Sequence, residues 1–478
     1  MAERLKVVVL DDDPTGSQTV HSAPLLLRWD ADSLSAGLRH PSPLLFLLSN
    51  TRALDAAAAA ERVREICRAL RPALEQALAA GWIDRWLIVS RGDSTLRGHF
   101  PLEVQVIAEE LGPFDATLLA PAFLPGGRTT VDGLHLLQGE PVHTTPFAAD
   151  RLFGFSHSFL PAWVEEKSAG RIPAAAVQRI GLAELDAADQ APDGAAALRD
   201  RLAGFGGNAV VAVDAELPHQ LAALGAAVRD VTQPDPVPHA REDCPRRLLF
   251  QSAASLLNGL VPLPPQPLDA AGLAGLRRRD ASGAPLSGLV LVGSHVPLAD
   301  AQLERLLQEP GCEGLEIPVA KFARVLAGPE PAALLASLEQ TWRAQLEQRL
   351  ADGLTPVLFT SRGEVSCSSS AERRRLGLEL AALMARLAAA VEPRLGYLIS
   401  KGGITSHTLL ADGLGLGAVE LQGQLFAGLS LVLTPPGGGR AGLPVVTFPG
   451  NLGDADGLRN AWRLLERGQA SEPDSPEA

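Results

Sequence analysis

Short apolar blocks, each cut off by a polar or glycine-rich stretch, recur along the chain. Residues 5–10 read Leu-Lys-Val-Val-Val-Leu and stop at Asp11-Asp12-Asp13-Pro14-Thr15-Gly16. Leu44–Leu48 stops at Ser49-Asn50-Thr51-Arg52, and Trp86–Val89 at Ser90-Arg91-Gly92-Asp93-Ser94-Thr95-Leu96-Arg97-Gly98. Ala116–Ala120 runs into Pro121-Ala122-Phe123-Leu124-Pro125-Gly126-Gly127-Arg128, and Ala209–Val213 ends at Asp214. An Ala-, Leu-, Glu- and Arg-rich stretch from about Ala53 to Ala80 predicts a long helix. Strands alternating with helices indicate a parallel sheet covered on its faces. The polar stops then share one sheet edge, where open α/β sheets bind their ligands.

Leu260–Leu268 carries four prolines in nine residues, which no regular element tolerates. A second α/β unit is expected after it. Its strands are Gly288–Val292, Pro356–Phe359, Tyr397–Ser400 and Leu429–Leu433, with a helix from about Leu298 to Gln308 behind Pro297. The predicted organisation is residues 1–259, a proline-rich linker at 260–285, a second domain at 286–468 and a disordered tail at 469–478. The fold class is α/β: two domains, each with a largely parallel sheet flanked by helices, and an active site in the cleft between them.

Composition narrows the function. A formal net charge of −13 argues against nucleic acid or an anionic membrane as partner. No stretch approaches the roughly 20 apolar residues of a membrane-spanning helix. Met1–Leu10 lacks a signal-peptide core, so a cytoplasmic location is expected. The four cysteines, at 67, 244, 312 and 367, show no zinc or redox spacing and read as incidental thiols.

The chemistry sits in the stops. Asp12, Asp13, Arg52, Arg91, Asp93, Arg97 and Arg128 gather at strand ends of the first domain. The guanidinium fork matches a carboxylate bidentately, while aspartates bind hydroxyls and accept protons. The set suits a small hydroxy acid; the plainer alternative is a salt-bridge network tying loops together. Residues 121–146 read as a long ordered loop, a lid or a contact with a second copy of the chain, which leaves a homo-oligomer open. His135 and His143 read as loop or interface histidines. In the second domain, Gly293-Ser294-His295, Thr360-Ser361-Arg362-Gly363 and Lys401-Gly402-Gly403-Ile404-Thr405-Ser406 follow strands. Such loops bring backbone N–H groups close to phosphate oxygens. Ser294, Ser361, Thr405 and Ser406 add hydroxyl donors, Lys401 a charge, and Gly437-Gly438-Gly439 a flexible turn. The chain has no P-loop, no G-x-S-x-G elbow and no G-x-G-x-x-G after its first strand.

Taken in order, Asp12-Asp13-Pro14-Thr15-Gly16, Asn50-Thr51-Arg52, Asp93-Ser94-Thr95-Leu96-Arg97-Gly98, Gly127-Arg128, Ser361-Arg362-Gly363, Lys401-Gly402-Gly403-Ile404-Thr405-Ser406 and Pro449-Gly450-Asn451-Leu452-Gly453 resemble the four-carbon acid sugar kinases. That family includes threonate, erythronate and 3-oxo-tetronate kinases. The resemblance covers roughly residues 5–465. It implies an N-terminal domain for the sugar acid, a C-terminal domain for ATP, and γ-phosphoryl transfer to a hydroxyl with Mg²⁺. It places the acid at Asp12, Arg52, Arg91, Gly92, Asp93, Ser94 and Arg97, with Asp12, Asp13 or Asp93 as proton acceptor. It places ATP at Ser294, Thr360, Ser361, Arg362, Gly363, Gly402 and Gly403. Relatives often carry Lys at position 91, where this chain has Arg. A non-catalytic sensor and a hydrolase of phosphorylated hydroxy acids are the alternatives.

Overall fold

The structure is a computed structural model that describes residues 4–17, 19–233, 245–362, 369–435 and 442–468. The expected tail at 469–478, Gly363, Gly437–Gly439, Cys244 and Cys367 lie outside the described residues. Two compact units, Met1–Pro265 and Gln266–Ala478, make up the chain.

The first unit is built on strands β1 (Leu5–Asp11), β2 (Ala23–Leu26), β3 (Leu44–Leu48), β4 (Arg85–Arg91) and β5 (Ala116–Ala120). They are completed by β9 (Gln178–Ile180), β10 (Ala209–Val213) and β11 (Leu248–Ser252), in the spatial order β2-β3-β1-β4-β11-β5-β10-β9. Every pairing among them is parallel. Both faces of such a sheet are covered, which is why Val7–Val9 and Leu44–Leu48 are continuous apolar runs with 0% exposure. The helix Ala56–Ala79 lays Val63, Ile66, Leu70 and Leu74 inward at three- and four-residue spacing. The Asp55 carboxylate caps it by accepting the Ala58 N–H at 2.9 Å. Chain order reverses around β1, with β3 on one side and β4 on the other, so the ligand crevice is expected at the ends of these strands.

Residues 121–146 are not a bare loop. They fold into a small antiparallel sheet of β6 (Arg128–Val131), β7 (Leu134–Leu137) and β8 (Glu140–Pro141). Nor is the proline-rich segment a linker as far as residue 285. Gln266 already belongs to the second unit, and the helix Ala270–Ala274 puts Leu273 into that unit's core.

The second unit holds β12 (Leu289–Val292), β13 (Cys312–Ile317), β14 (Thr355–Thr360), β15 (Leu398–Lys401), β16 (Ala418–Phe426), β17 (Leu429–Leu433) and β18 (Pro444–Phe448). β13-β14-β12-β15-β18 run parallel. β17 and β16 then continue the sheet antiparallel. Leu429–Leu433, expected as one more parallel strand, therefore runs the other way. Its C-terminal end lies at the sheet edge opposite the loops after β12, β14 and β15. Tyr397, Phe448 and Trp462 anchor the core, with the Trp462 indole N–H donated to Thr355 Oγ1 at 3.1 Å.

Candidate active site

The strand ends of the first unit are stitched together by backbone. Asp12 N donates to Arg91 O at 3.1 Å, Arg52 N to Asp12 O at 3.3 Å, and Gly92 N to Ser252 O at 2.8 Å. This brings the ends of β1, β3, β4 and β11 into one patch. Arg52 grips Asp12 with both prongs, Nη2 to Oδ1 at 2.6 Å and Nε to Oδ2 at 3.0 Å. It also lies 3.8 Å from Asp13 and 3.7 Å from Asp93. Arg91 Nη1 stands 3.5 Å from Asp11 and 3.8 Å from Asp12. Arg97 Nε donates to Asp93 Oδ2 at 2.7 Å, and Thr95 Oγ1 donates to the same oxygen. All six charged residues expected at the acid site thus converge, together with Gly92 and Ser94.

Burial sets the charge states. It works against the Arg52 cation, but Asp12, Asp13 and Asp93 outweigh it and hold Arg52 well above its usual range. Burial pushes Asp13 upward too; Arg52 and the Thr15 hydrogen bonds overcome it and leave this carboxyl below its usual value. Asp93 follows the same pattern, with Arg97 and Arg52 winning over burial. Asp11 does not: burial lifts it to about 7 against the pull of Arg91. Gly16 is obligatory beside that pair. A Cβ there would fall 2.0 Å from Asp11 Oδ1 and 2.5 Å from Arg91 Nη1.

Three further groups complete the patch and were not singled out from the sequence. Glu103, 5% exposed in the first turn of the helix Leu102–Leu111, accepts the Thr51 hydroxyl at 2.5 Å. Burial, with Asp12 adding to it, pushes Glu103 up to about 7. Gln251 reaches in from β11. Asp150 lies 3.8 Å from Arg97. A first-turn Glu and a Gln inside an apolar strand leave no pattern in one sequence. His135 turns out fully buried: its Nε2 bonds the Ser94 carbonyl at 2.8 Å and its Nδ1 the Thr130 hydroxyl at 2.9 Å. Burial pushes it down to about 4, so a neutral ring braces the loop of Ser94.

In the second unit, Arg362 Nη1 donates to Ser294 O at 2.6 Å and pairs with Asp300 at 3.0 Å. Thr360 Oγ1 meets His295 Nε2 at 2.9 Å. Gly402, at φ +116°, brings its loop against Ser294, and Gly403 opens the helix Gly403–Thr408. Ser361 Oγ accepts the Val319 N–H at 2.9 Å. Two expected phosphate-facing groups point elsewhere. Ser406 is fully buried and donates to Ser400 O at 3.0 Å. Lys401 is fully buried, donates to Pro449 O at 3.0 Å and lies 4.1 Å above the Phe448 ring. A strand that ends under its own loop buries its last side chains; Lys401 therefore ties down the loop after β18.

Residues 7–260 match the sugar-binding N-terminal domain family, and residues 289–458 match the nucleotide-binding C-terminal domain family. The chain belongs to the four-carbon acid sugar kinases. As a member of that family it is a phosphotransferase with a nucleotide-binding second domain. The kinase is 28% identical over 475 residues to a D-threonate kinase of Bordetella bronchiseptica, covering 96% of this chain and 97% of the other. It is 28% identical to a D-threonate kinase of Cupriavidus necator over 382 residues, covering 79% and 80%. A Salmonella typhimurium LT2 protein described as a tRNA synthase shares its fold, with a TM-score of 0.63 at 18% identity over 97% of this chain and 99% of that one. Among the described residues no helix is long and apolar enough to cross a membrane.

Proposed function

We propose that this kinase transfers the γ-phosphoryl group of ATP to a hydroxyl of a four-carbon sugar acid of the threonate, erythronate or 3-oxo-tetronate type. The observation that carries the reading is the convergence of ionised aspartates and arginines at the strand ends of a sugar-binding domain. Asp13 is the proton acceptor. Its side chain is 17% exposed against 3% for Asp12, it is held ionised, and its Oδ2 lies 3.8 Å from Arg52 while Oδ1 takes the Thr15 bonds. The substrate hydroxyl attacks phosphorus, its proton passes to Asp13, and ADP leaves.

Arg52 and Arg91, expected to hold the substrate carboxylate, are already engaged by aspartates. Arg128 is the better-placed cation. Burial lowers its pKa, with Asp93 opposing and Arg97 adding to the effect; its Nη1 donates to Gly126 O, and among the described residues it forms no ion pair with a carboxylate. Arg128 holds the acid together with Arg52, whose Nη1 lies 3.7 Å from Asp93, and Arg91 stabilises Asp11 and Asp12. The nucleotide phosphates lie on the loops of Ser294, Thr360–Arg362 and Gly402–Gly403, where backbone N–H groups and Arg362 provide donors. Among the described residues no group of three or more His, Cys, Asp or Glu is arranged to hold a metal. The aspartates here are neutralised by arginine, so they are a poor fit for Mg²⁺.

The test is ADP release with ATP and each stereoisomer of the three acids. Acid-dependent release with at least one of them is expected. Silence with all, alongside measured ATP binding, makes the protein a sensor. Phosphate release from a phosphorylated acid without ATP makes it a hydrolase.

A further inference from the structure

Beneath the Gly92–Gly98 loop lies a cavity of about 20 Å³, lined by Asp93, Arg97, Glu103, Trp163 and Gln251 among others. A site needs roughly 10–15 Å³ of such space for one water, so this one takes a single oxygen-sized group and not a whole four-carbon acid. Two of its walls are unfinished. Trp163, 2% exposed on the helix Leu160–Lys167, has a buried indole N–H with no hydrogen-bond partner. Gln251, 9% exposed, has a buried amide oxygen with none. A buried polar group left unsatisfied is costly, and both residues that carry one line this single small space.

Their chemistry selects the guest. The indole only donates and the amide oxygen only accepts, so the guest must do both. A hydroxyl does. A carboxylate has no proton for the amide oxygen and would meet Asp93 and Glu103. An ammonium has nothing to offer the indole. The Arg97 cation is already spent on Asp93 at 2.7 Å. The indole is held in place by the Phe100 ring, 4.7 Å away at 27°.

We propose that this cavity is the subsite for one hydroxyl of the substrate, read by the Trp163 indole N–H as donor and the Gln251 amide oxygen as acceptor. It rests on the sugar-acid reading above for the identity of the guest. The pocket then orients the acid: one hydroxyl goes in under the Gly92–Gly98 loop, and the carboxylate is turned away from Asp93 and Glu103.

The test is calorimetric binding, without nucleotide, of the preferred acid and of its monodeoxy analogues. The full-length protein is compared with Trp163→Phe and Gln251→Met, both close in size to the native residue. One analogue alone should bind about 100-fold more weakly to the native protein, since a site built around a hydroxyl rejects its absence. Each variant should bind the full acid about 10-fold or more weakly and lose the preference over that one analogue. Equal weakening for acid and analogue, or no analogue singled out, overturns the subsite and leaves a water pocket. Because the readout is affinity, it stands apart from the kinase reading. Acid that binds with this preference but is never phosphorylated sinks the kinase and keeps the subsite; failure of every acid to bind sinks the subsite.

Discussion

At the strand ends of the first unit, Asp12, Asp13, Asp93, Arg52, Arg91 and Arg97 lie within about one side chain of each other, and Arg52 and Arg97 hydrogen-bond directly to aspartates. At the strand ends of the second, the loops after β12, β14 and β15 carry glycine, serine and threonine, with Arg362 paired outward to Asp300. The same architecture thus presents two kinds of surface. On the proposed reading a small polyhydroxy acid has few atoms, each to be met by a directed side chain, which suits an edge filled with charge held in place by ion pairs. On the same reading a triphosphate brings its own charge and is met mainly by backbone N–H groups, so the second edge carries few charges of its own.

Three changes press on that contrast. The largest effect is expected from Asp13→Asn, which removes the proton acceptor while the Arg52–Asp12 pair stays whole. The kcat should fall about 100- to 10,000-fold, the range for loss of a general base, with nucleotide affinity within two-fold of the native protein (about 0.4 kcal/mol). A kcat within a factor of about three (about 0.7 kcal/mol) returns the role to Asp12 or Asp93. On the second edge, Gly402→Ala places a Cβ on a backbone at φ +116°, 3.4 Å from Ser294 N. Strain of about 1–3 kcal/mol should raise the KM for ATP roughly 10-fold and leave acid affinity alone; an equal loss of both would mean that the edges are not independent.

The smallest effect is a pH dependence. Glu103 titrates near 4.5 when unfolded and near 7 in the fold, where burial favours its neutral form. Its contribution to stability is complete below about pH 4.5 and is lost as pH rises through 7. Glu103→Gln removes that loss. In denaturant titrations the variant should gain on the native protein between pH 4.5 and 7, and hold a constant lead above. A lead that does not change with pH would show that Glu103 titrates in the fold as it does in the unfolded chain.

Much of this site was legible because parallel strands buried on both faces read as unbroken apolar runs, and their sudden ends at Asp11, Ser49 and Ser90 mark the ligand edge. What escaped was set by distance along the chain. Leu248–Ser252 is a short apolar run like many others, and nothing local says that it inserts between β4 and β5 carrying Gln251. Trp163 and Glu103 sit on helices among apolar neighbours, where one polar atom makes no pattern. The antiparallel turn of Leu429–Leu433 was hidden for the same reason: apolar content gives burial, not direction. Lys401 and Ser406 were misread because a residue next to a glycine loop looks exposed, while Lys401 is tied to the loop after β18 and Ser406 to Ser400.

The position of β11 bears on how the protein comes off the ribosome. β4 and β5 are neighbours in sequence, yet neither pairs with the other; the strand that joins them is 128 residues beyond the end of β5, from Ala120 to Leu248. A nascent chain can assemble β1 to β4, but the sheet has an open edge and the pocket no far wall until Ser252 has emerged. At roughly 5–20 residues per second that interval lasts about 8–32 s. During it, the exposed flank of β4 is a template for any passing strand. The strand that carries Gln251 and Ser252 into the proposed pocket is therefore also the one that closes this exposed edge.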